Sequence, residues 1–226
     1  MEDIIKIRGL KKYYKDGDTI VHALDGIDLT IQKGEFTAIV GPSGSGKTTL
    51  LNMIGGLDRP TVGSVTISQT DITALSDNDV INYRRDNIGF VFQAYNLIPV
   101  LTALENVSFV LDLQGVNSKQ SEKRAMELLK SVGLADRADA RPSKLSGGQQ
   151  QRVAVARALA TSPKFILADE PTANLDSHSA ESLLELMAEM NEKENITFIF
   201  STHDERVMRK AKRIIKLIDG KIESNE

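Results

Sequence analysis

Gly41, Pro42, Ser43, Gly44, Ser45, Gly46, Lys47 and Thr48 read GPSGSGKT, a spacing suited to gripping a chain of phosphates. Glycines at these offsets let successive backbone N–H groups turn inward around phosphate oxygens. Lys47 stands where a flexible ammonium reaches the β and γ phosphates, and the Thr48 hydroxyl where it ligates Mg²⁺. Thr49, next along, completes the set. An ordinary glycine turn is the plainer account, because the pattern arises in on the order of one chain in a hundred of this size at average residue usage. The flanks argue against it. Residues 36–40, FTAIV, predict a buried strand, and residues 48–54 carry helical spacing. Strand, loop, helix is the order a phosphate site needs, since the helix amino terminus adds its positive dipole end.

A second constellation supplies acids. Residues 165–170 read FILADE, an apolar strand ending in two carboxylates. In phosphate-loop ATPases the first acid, here Asp169, holds magnesium through water, and the second, Glu170, polarises the attacking water. Strands ending in solvated acids are common, so this signal gains weight only beside the phosphate loop. Residues 145–149 read LSGGQ, directly before QQQRVAVARALA. A serine and two glycines at a helix amino terminus offer a hydroxyl and free N–H groups to a second phosphate. A plain N-cap by Ser146 is the alternative, but all five letters coincide by chance in on the order of one chain in a few thousand.

These residues need elements to hold them. Short alternating runs at 4–7 and 27–31, with a turn over 15–18, predict a small antiparallel sheet. Continuous apolar runs at 88–92, 165–168 and 196–201, with helical patterns at 179–190 and 205–212, predict a parallel sheet of the α/β class. Between residues 95 and 160 no strand is evident, whereas 103–111, 120–132 and 149–160 carry helical spacing. The expected organisation is a single domain over 1–226. Segments 1–94 and 161–226 form the nucleotide-binding core and antiparallel subdomain, and 95–160 an inserted helical lobe.

LSGGQ together with GPSGSGKT and FILADE resembles the ATP-binding cassette ATPases, in the family's motif order along nearly the whole chain. The resemblance implies a phosphate-loop NTPase core with an N-terminal antiparallel β subdomain and an inserted helical subdomain. It also implies ATP and Mg²⁺ as ligands and ATP hydrolysis as the reaction. Gln93, after IGFVF, corresponds to the lid glutamine that senses Mg²⁺ and the attacking water, so Thr48, Asp169 and Gln93 are the implied metal set. His203 in STHD matches the switch histidine beside the γ-phosphate, and with Glu170 and Gln93 makes up the implied catalytic set. Asp176 in ANLD matches the dimer-loop aspartate. Tyr14 in KKYYK stands where the family stacks an aromatic on adenine, with Tyr13 the adjacent choice. Ser146, Gly147, Gly148 and Gln149 would face the phosphate loop of a second copy, which implies a head-to-tail homodimer holding two ATP molecules. His22 and His178 have no such context and are read as surface residues.

Residues 55–63 (GGLDRPTVG), 84–93 (RRDNIGFVFQ) and the segment AYNLIPVLTALENV after Gln93 look most like the lipoprotein-releasing and macrolide-exporting branch, the LolD and MacB subgroup. That branch implies a membrane-spanning permease as partner. Its expected dock is near Gln93–Leu101, where Tyr95, Leu97, Ile98, Pro99, Val100 and Leu101 cluster. An FtsE-like ATPase that regulates a cell-wall enzyme through a membrane complex is the competing function.

Composition narrows the field. The 226 residues are 41% hydrophobic and 26% charged with a formal net charge of -3, enough apolar material for a core and no basic surplus for nucleic acid. With no cysteine, disulfides, thiolate metal sites and a cysteine nucleophile are excluded. The opening MEDIIKIRGLKK lacks the apolar stretch of a secretory signal, and no run approaches the ~20 apolar residues that span a bilayer. The expected location is the cytoplasmic face of the inner membrane, reached through the partner. A nucleotide kinase would not carry LSGGQ, and no heptad insert or second cassette marks a chromosome or translation ATPase.

Overall fold

The structure, a computed structural model, describes residues 2–17 and 19–226. Met1 and Asp18 lie outside the described residues, and with Asp18 the end of the turn expected over 15–18. The first half runs β1 (Asp3–Asp16), β2 (Thr19–Gln32), β3 (Phe36–Val40), α1 (Lys47–Ile54), β4 (Val62–Ile67), β5 (Thr70–Asp71), α2 (Asp77–Asn87) and β6 (Ile88–Val91). There follow α3 (Ala103–Asp112), α4 (Ser118–Ser131), α5 (Gly147–Leu159), β7 (Phe165–Asp169), α6 (Ser177–Glu194), β8 (Thr197–Thr202), α7 (Glu205–Lys210), β9 (Arg213–Ile218) and β10 (Lys221–Asn225).

The strands make two sheets. An antiparallel one has the order β2-β1-β4-β5, and the larger one has the order β10-β9-β3-β8-β7-β6. From β9 to β6 all neighbours in the larger sheet are parallel. Its central strands are apolar without alternation because both faces are covered. On β3, Phe36, Ala38 and Val40 join the core beneath the helices, while Ile39 joins the core shared with the antiparallel sheet and α1. Strand β8 divides in the same way, Phe198 and Phe200 on one side and Ile199 on the other. The Phe36 ring lies 4.7 Å from that of Phe200, and burying such rings contributes roughly 2–3 kcal/mol each.

The helical lobe is α3, α4 and α5 packed on one another. Its helices are started by their own side chains: Thr102 and Glu105 form a capping box on α3, and Ser146 and Gln149 form one on α5. Each box satisfies amide donors that a helix start leaves open. The expected strands at 36–40, 88–92, 165–168 and 196–201 and the expected helices are found with small end shifts. The runs at 4–7 and 27–31 turn out to be the buried stretches of 14-residue strands, with Ile20 and Val21 exposed near the β1–β2 turn. Helix α2 buries no residue. Hydrophobic spacing therefore carries no trace of it, and its start is fixed by the Ser76 cap and by Asp77 and Asp79 in its first turn.

Candidate active site

Four neighbouring parallel strands, β3, β8, β7 and β6, bring their carboxyl ends to one edge. Beyond those ends stand the phosphate loop, His203, the pair Asp169 and Glu170, and Gln93, each from a different strand. Open parallel sheets bind ligands at this edge. A cleft of about 560 Å³ lies there, lined by Gly41–Gly44 and Gly46–Thr49 on one side and by Gln93, Glu170, Ala173 and His203 on the other. Val21, His22 and Ala23 of β2 close it.

The phosphate loop is shaped by glycine. Gly46 has φ 101°, and a Cβ there would lie 2.4 Å from the Ala23 carbonyl oxygen. Among the described residues, the amides of Gly44 and Gly46 donate to no backbone carbonyl, and the Ser45 hydroxyl is buried without a partner. Helix α1 has neither a side-chain cap nor an acid in its first turn, so its leading amides stay open. Unpaired donors at the positive end of a helix fit an anion. The Lys47 ammonium donates to the carbonyls of Gly41 at 2.9 Å and Pro42 at 3.1 Å, which keeps it at the loop.

Next to it in the chain, the Thr48 hydroxyl lies 3.2 Å from both Asp169 oxygens. Burial raises the Asp169 carboxyl above its ordinary value, and the charge of Glu170 adds to this. The Ser201 and Thr48 hydroxyls and Lys47 oppose the rise without cancelling it. A cation would relieve that strain. Thr48 and Asp169 are hard oxygen donors of the kind Mg²⁺ takes, but among the described residues no cluster of three metal-binding side chains gathers. An octahedral ion here would have to complete its shell with phosphate oxygens and water.

Glu170 leaves β7 with φ 46°, a left-handed conformation uncommon for a side-chain-bearing residue, while its amide still donates to Ser201 O at 2.9 Å. The carboxylate is held between Thr202 and His203 of the neighbouring strand end. Just beyond, Asp204 accepts from Thr172 at 2.7 Å and from Arg206 at 2.7 Å. Burial pushes the Asp204 carboxyl up, yet the bonds from Arg206 and Thr172 outweigh it and bring it down to about 2. That bracket ties the loop after Glu170 to the loop of His203.

Other residues singled out in the sequence stand apart from the cleft. Ser146 caps α5, accepting from Gln149 N at 3.3 Å, and residues 146–149 do not line the cleft. Asp176 caps α6 through His178 N, Ser179 N and Ser179 Oγ, bonds that hold its carboxyl below the ordinary range, the Ser179 hydroxyl contributing most. The Tyr14 hydroxyl donates to Asp58 at 2.9 Å, and the Lys12 ammonium sits 4.8 Å over its ring. The Tyr13 ring lies 4.3 Å from that of His22. His22, read from sequence as a surface residue, lines the cleft wall. No local motif marks it, because only the β1–β2 pairing brings it there.

A second, apolar depression of about 480 Å³ lies between α2, α3 and β6, lined in part by Ile81, Phe90, Phe92, Ile98, Phe109 and Leu113. Of the expected docking cluster Ile98 lines it, Leu97 packs on the core and Val100 is 69% exposed. Asn106 of the expected segment also lines it, whereas the wall from α2 has no counterpart in the sequence, since α2 has no hydrophobic spacing.

The family profile described as "ABC transporter" matches residues 24–173. The chain belongs to that family. The ABC transporter ATP-binding protein MJ0796 of Methanocaldococcus jannaschii is 49% identical to it over 99% of this chain and 97% of its own length. A dimeric solved structure of MJ0796, bound to ADP and Pi, matches with a TM-score of 0.91, covering 99% of this chain and 98% of that one at 48% identity. The lipoprotein-releasing system ATP-binding protein LolD of Anaeromyxobacter dehalogenans is 47% identical over 96% of this chain and 92% of its own length. The macrolide export ATP-binding/permease protein MacB of Hyphomonas neptunium is 47% identical over 98% of this chain and 34% of its own length. The α/β core, the antiparallel sheet and the helical lobe are thus those of an ABC ATPase cassette, and ATP binding and hydrolysis are its activity.

Proposed function

We propose that this ABC ATPase powers a membrane permease of the lipoprotein-releasing or macrolide-export type by closing as a head-to-tail homodimer on two ATP molecules. One observation carries the reading: the cleft is built from half of the motif set. Lys47, Thr48, Glu170 and His203 line it, whereas residues 146–149 open α5 outside it. A second copy would lay its α5 amino terminus over the phosphates, and the long Ser146–Gln149 contact would give way to a phosphate oxygen. The dimeric MJ0796 structure with ADP and Pi supports this arrangement.

In this reading Lys47 exchanges its two loop carbonyls for phosphate oxygens. Mg²⁺, held by Thr48 and Asp169 beside Gln93, would neutralise phosphate charge as it develops. Glu170 accepts the proton of the attacking water, and His203 keeps the carboxylate in place. Asp176 serves the interface between copies, and Tyr14 or Tyr13 the adenine. Two ligands bridging the copies favour the closed form through their differential affinity for it, and phosphate loss removes the bridge.

The work leaves through the helical lobe. The apolar depression walled by Phe90, Ile98 and Phe109 suits a short helix of a permease, and the ATP-binding/permease name of MacB supports such a partner. No helix among the described residues is long and apolar enough to cross a membrane, so the membrane attachment, at the cytoplasmic face of the inner membrane, would come from that partner.

The test is Glu170→Gln. The variant should bind ATP, lose turnover by at least about a hundredfold, and elute as a dimer in ATP and as a monomer without it. A variant that stays monomeric while saturated with ATP would overturn the two-copy reading.

A further inference from the structure

The backbone that carries Gln93 is held by its carbonyl oxygens, one after another, from two directions. Gln151 on α5 donates its Nε2 to Phe92 O at 3.3 Å and to Pro171 O at 2.8 Å. Asn174, in the loop between Glu170 and Asp176, donates its Nδ2 to Gln93 O at 3.0 Å and accepts at its own carbonyl from the Tyr95 hydroxyl at 3.3 Å. Farther along, Arg157 of α5 donates to Tyr95 O at 2.9 Å and Asn96 O at 2.5 Å. These last two residues have φ 60° and 49°, a turn that tyrosine rarely adopts and that needs holding. Gln151 is fully buried, and a buried amide in a helix otherwise facing the core is costly unless its bonds matter.

We propose that Gln151 and Asn174 are positioning residues for Gln93: two side-chain amides that grip the carbonyl before it and its own carbonyl. Through them the aim of the Gln93 side chain is set jointly by α5 and by the loop leading to Asp176. Two features favour this over general scaffolding. The two amides come from different elements yet converge on adjacent peptide groups. Asn174 is also exposed, so its bond to Gln93 does little for the core. The Gly147 position is coupled to the same point, since a Cβ there would lie 2.8 Å from the Tyr95 hydroxyl. Movement of the helical lobe or of the Asp176 loop is then felt at Gln93 without either touching nucleotide in its own chain.

The inference rests on the reading of Gln93 as a residue that works on ATP, and a double-mutant cycle separates the two. The variants are Asn174→Leu, which keeps the shape and removes the donor, Asn174→Gln, Gln151→Met, Gln93→Ala, and the pairs with Gln93→Ala. Asn174→Leu should lower kcat about five- to tenfold, the worth of one or two hydrogen bonds, with the Kd for ATP within about twofold and Tm unchanged. Asn174→Gln should recover part of the loss. In the Gln93→Ala background Asn174→Leu should cost nothing further. If Gln93→Ala hydrolyses ATP at the parental rate, the reading of Gln93 falls and the proposal with it. If Gln93→Ala is impaired and Asn174→Leu multiplies its defect in full, Gln93 keeps its role and the positioning proposal alone is overturned. Gln151→Met, being buried, is scored only against its own Tm, and the Asn174 pair decides.

Discussion

His203 Nδ1 lies 2.8 Å from Glu170 Oε1, and the Thr202 hydroxyl donates to Oε2 of the same carboxylate at 3.3 Å. Consecutive residues at the end of β8 thus hold both oxygens of the acid at the end of β7. An ionised carboxylate only accepts, so this contact calls for the tautomer with the proton on Nδ1. His203→Ala should lower kcat by about a hundredfold while ATP affinity changes less than about threefold. Thr202→Val should cost about fivefold, or about 1 kcal/mol, because at 3.3 Å its bond to Glu170 is long and falls short of the usual worth of a hydrogen bond to a charged group. Steady-state hydrolysis with nucleotide titration separates the two effects, and full turnover in His203→Ala would remove the histidine from the reaction.

The raised carboxyl of Asp169 sets function against stability. Its folded-state value lies above the ordinary one because burial disfavours the charge, so at neutral pH the ionised acid works against the nucleotide-free fold. Asp169→Asn should therefore raise the Tm of the nucleotide-free protein, by about 2–4 °C per kcal/mol recovered in a chain of this size. The same change should remove Mg²⁺-dependent stabilisation by ATP. Calorimetry with and without Mg·ATP checks both halves; a lower Tm in the nucleotide-free variant would contradict the sign.

These two cases show what was legible in the sequence and what was not. Gly41–Thr48, Asp169 and Glu170 stand out in local motifs that follow continuous apolar strands, whereas Gln93 and His203 take their assignment from the family resemblance. What the motifs did not contain was their relation across strands: that Thr202 shares the carboxylate with His203, or that Asp204 reaches back to Thr172. His22 entered the cleft wall through antiparallel pairing alone. The apolar depression is half visible in the sequence, since Ile98 lies in an apolar segment whereas Ile81 belongs to a helix with no buried residue.

Glycine at position 46 can be tested against glycine at 44. Both have positive φ, 101° and 81°, so alanine costs conformational strain at either, about 1–2 kcal/mol. Only at 46 does the added carbon also meet the Ala23 carbonyl, whereas at 44 nothing lies within 4 Å. Gly46→Ala should abolish measurable ATP binding by displacing the loop from β2. Gly44→Ala should fold with a modest loss of Tm and keep at least a tenth of the parental affinity. Equal defects in fluorescent-nucleotide titrations would mean that strain, and not the approach to Ala23, governs the loop.

Acid should dissect the bracket between the loop after Glu170 and the loop of His203. Asp204 titrates at about 2 in the folded chain against about 3.9 in an unfolded one, so its folded value is depressed. The stability it contributes is then fully present above the unfolded value and is lost as pH falls from about 5 through 2. A shift of this size corresponds to at most about 2–3 kcal/mol, and partial exposure to solvent reduces that to about 1–2. Asp204→Asn should therefore unfold more easily in urea at pH 7.5 by that amount, and the gap to the parent should shrink steadily between pH 5 and pH 3. The variant should also hydrolyse ATP more slowly at pH 7.5, because Thr172 and the His203 loop lose their common anchor. A gap that stays constant over the acid range would mean that Thr172 and Arg206 hold the neutral carboxyl as well as the ionised one.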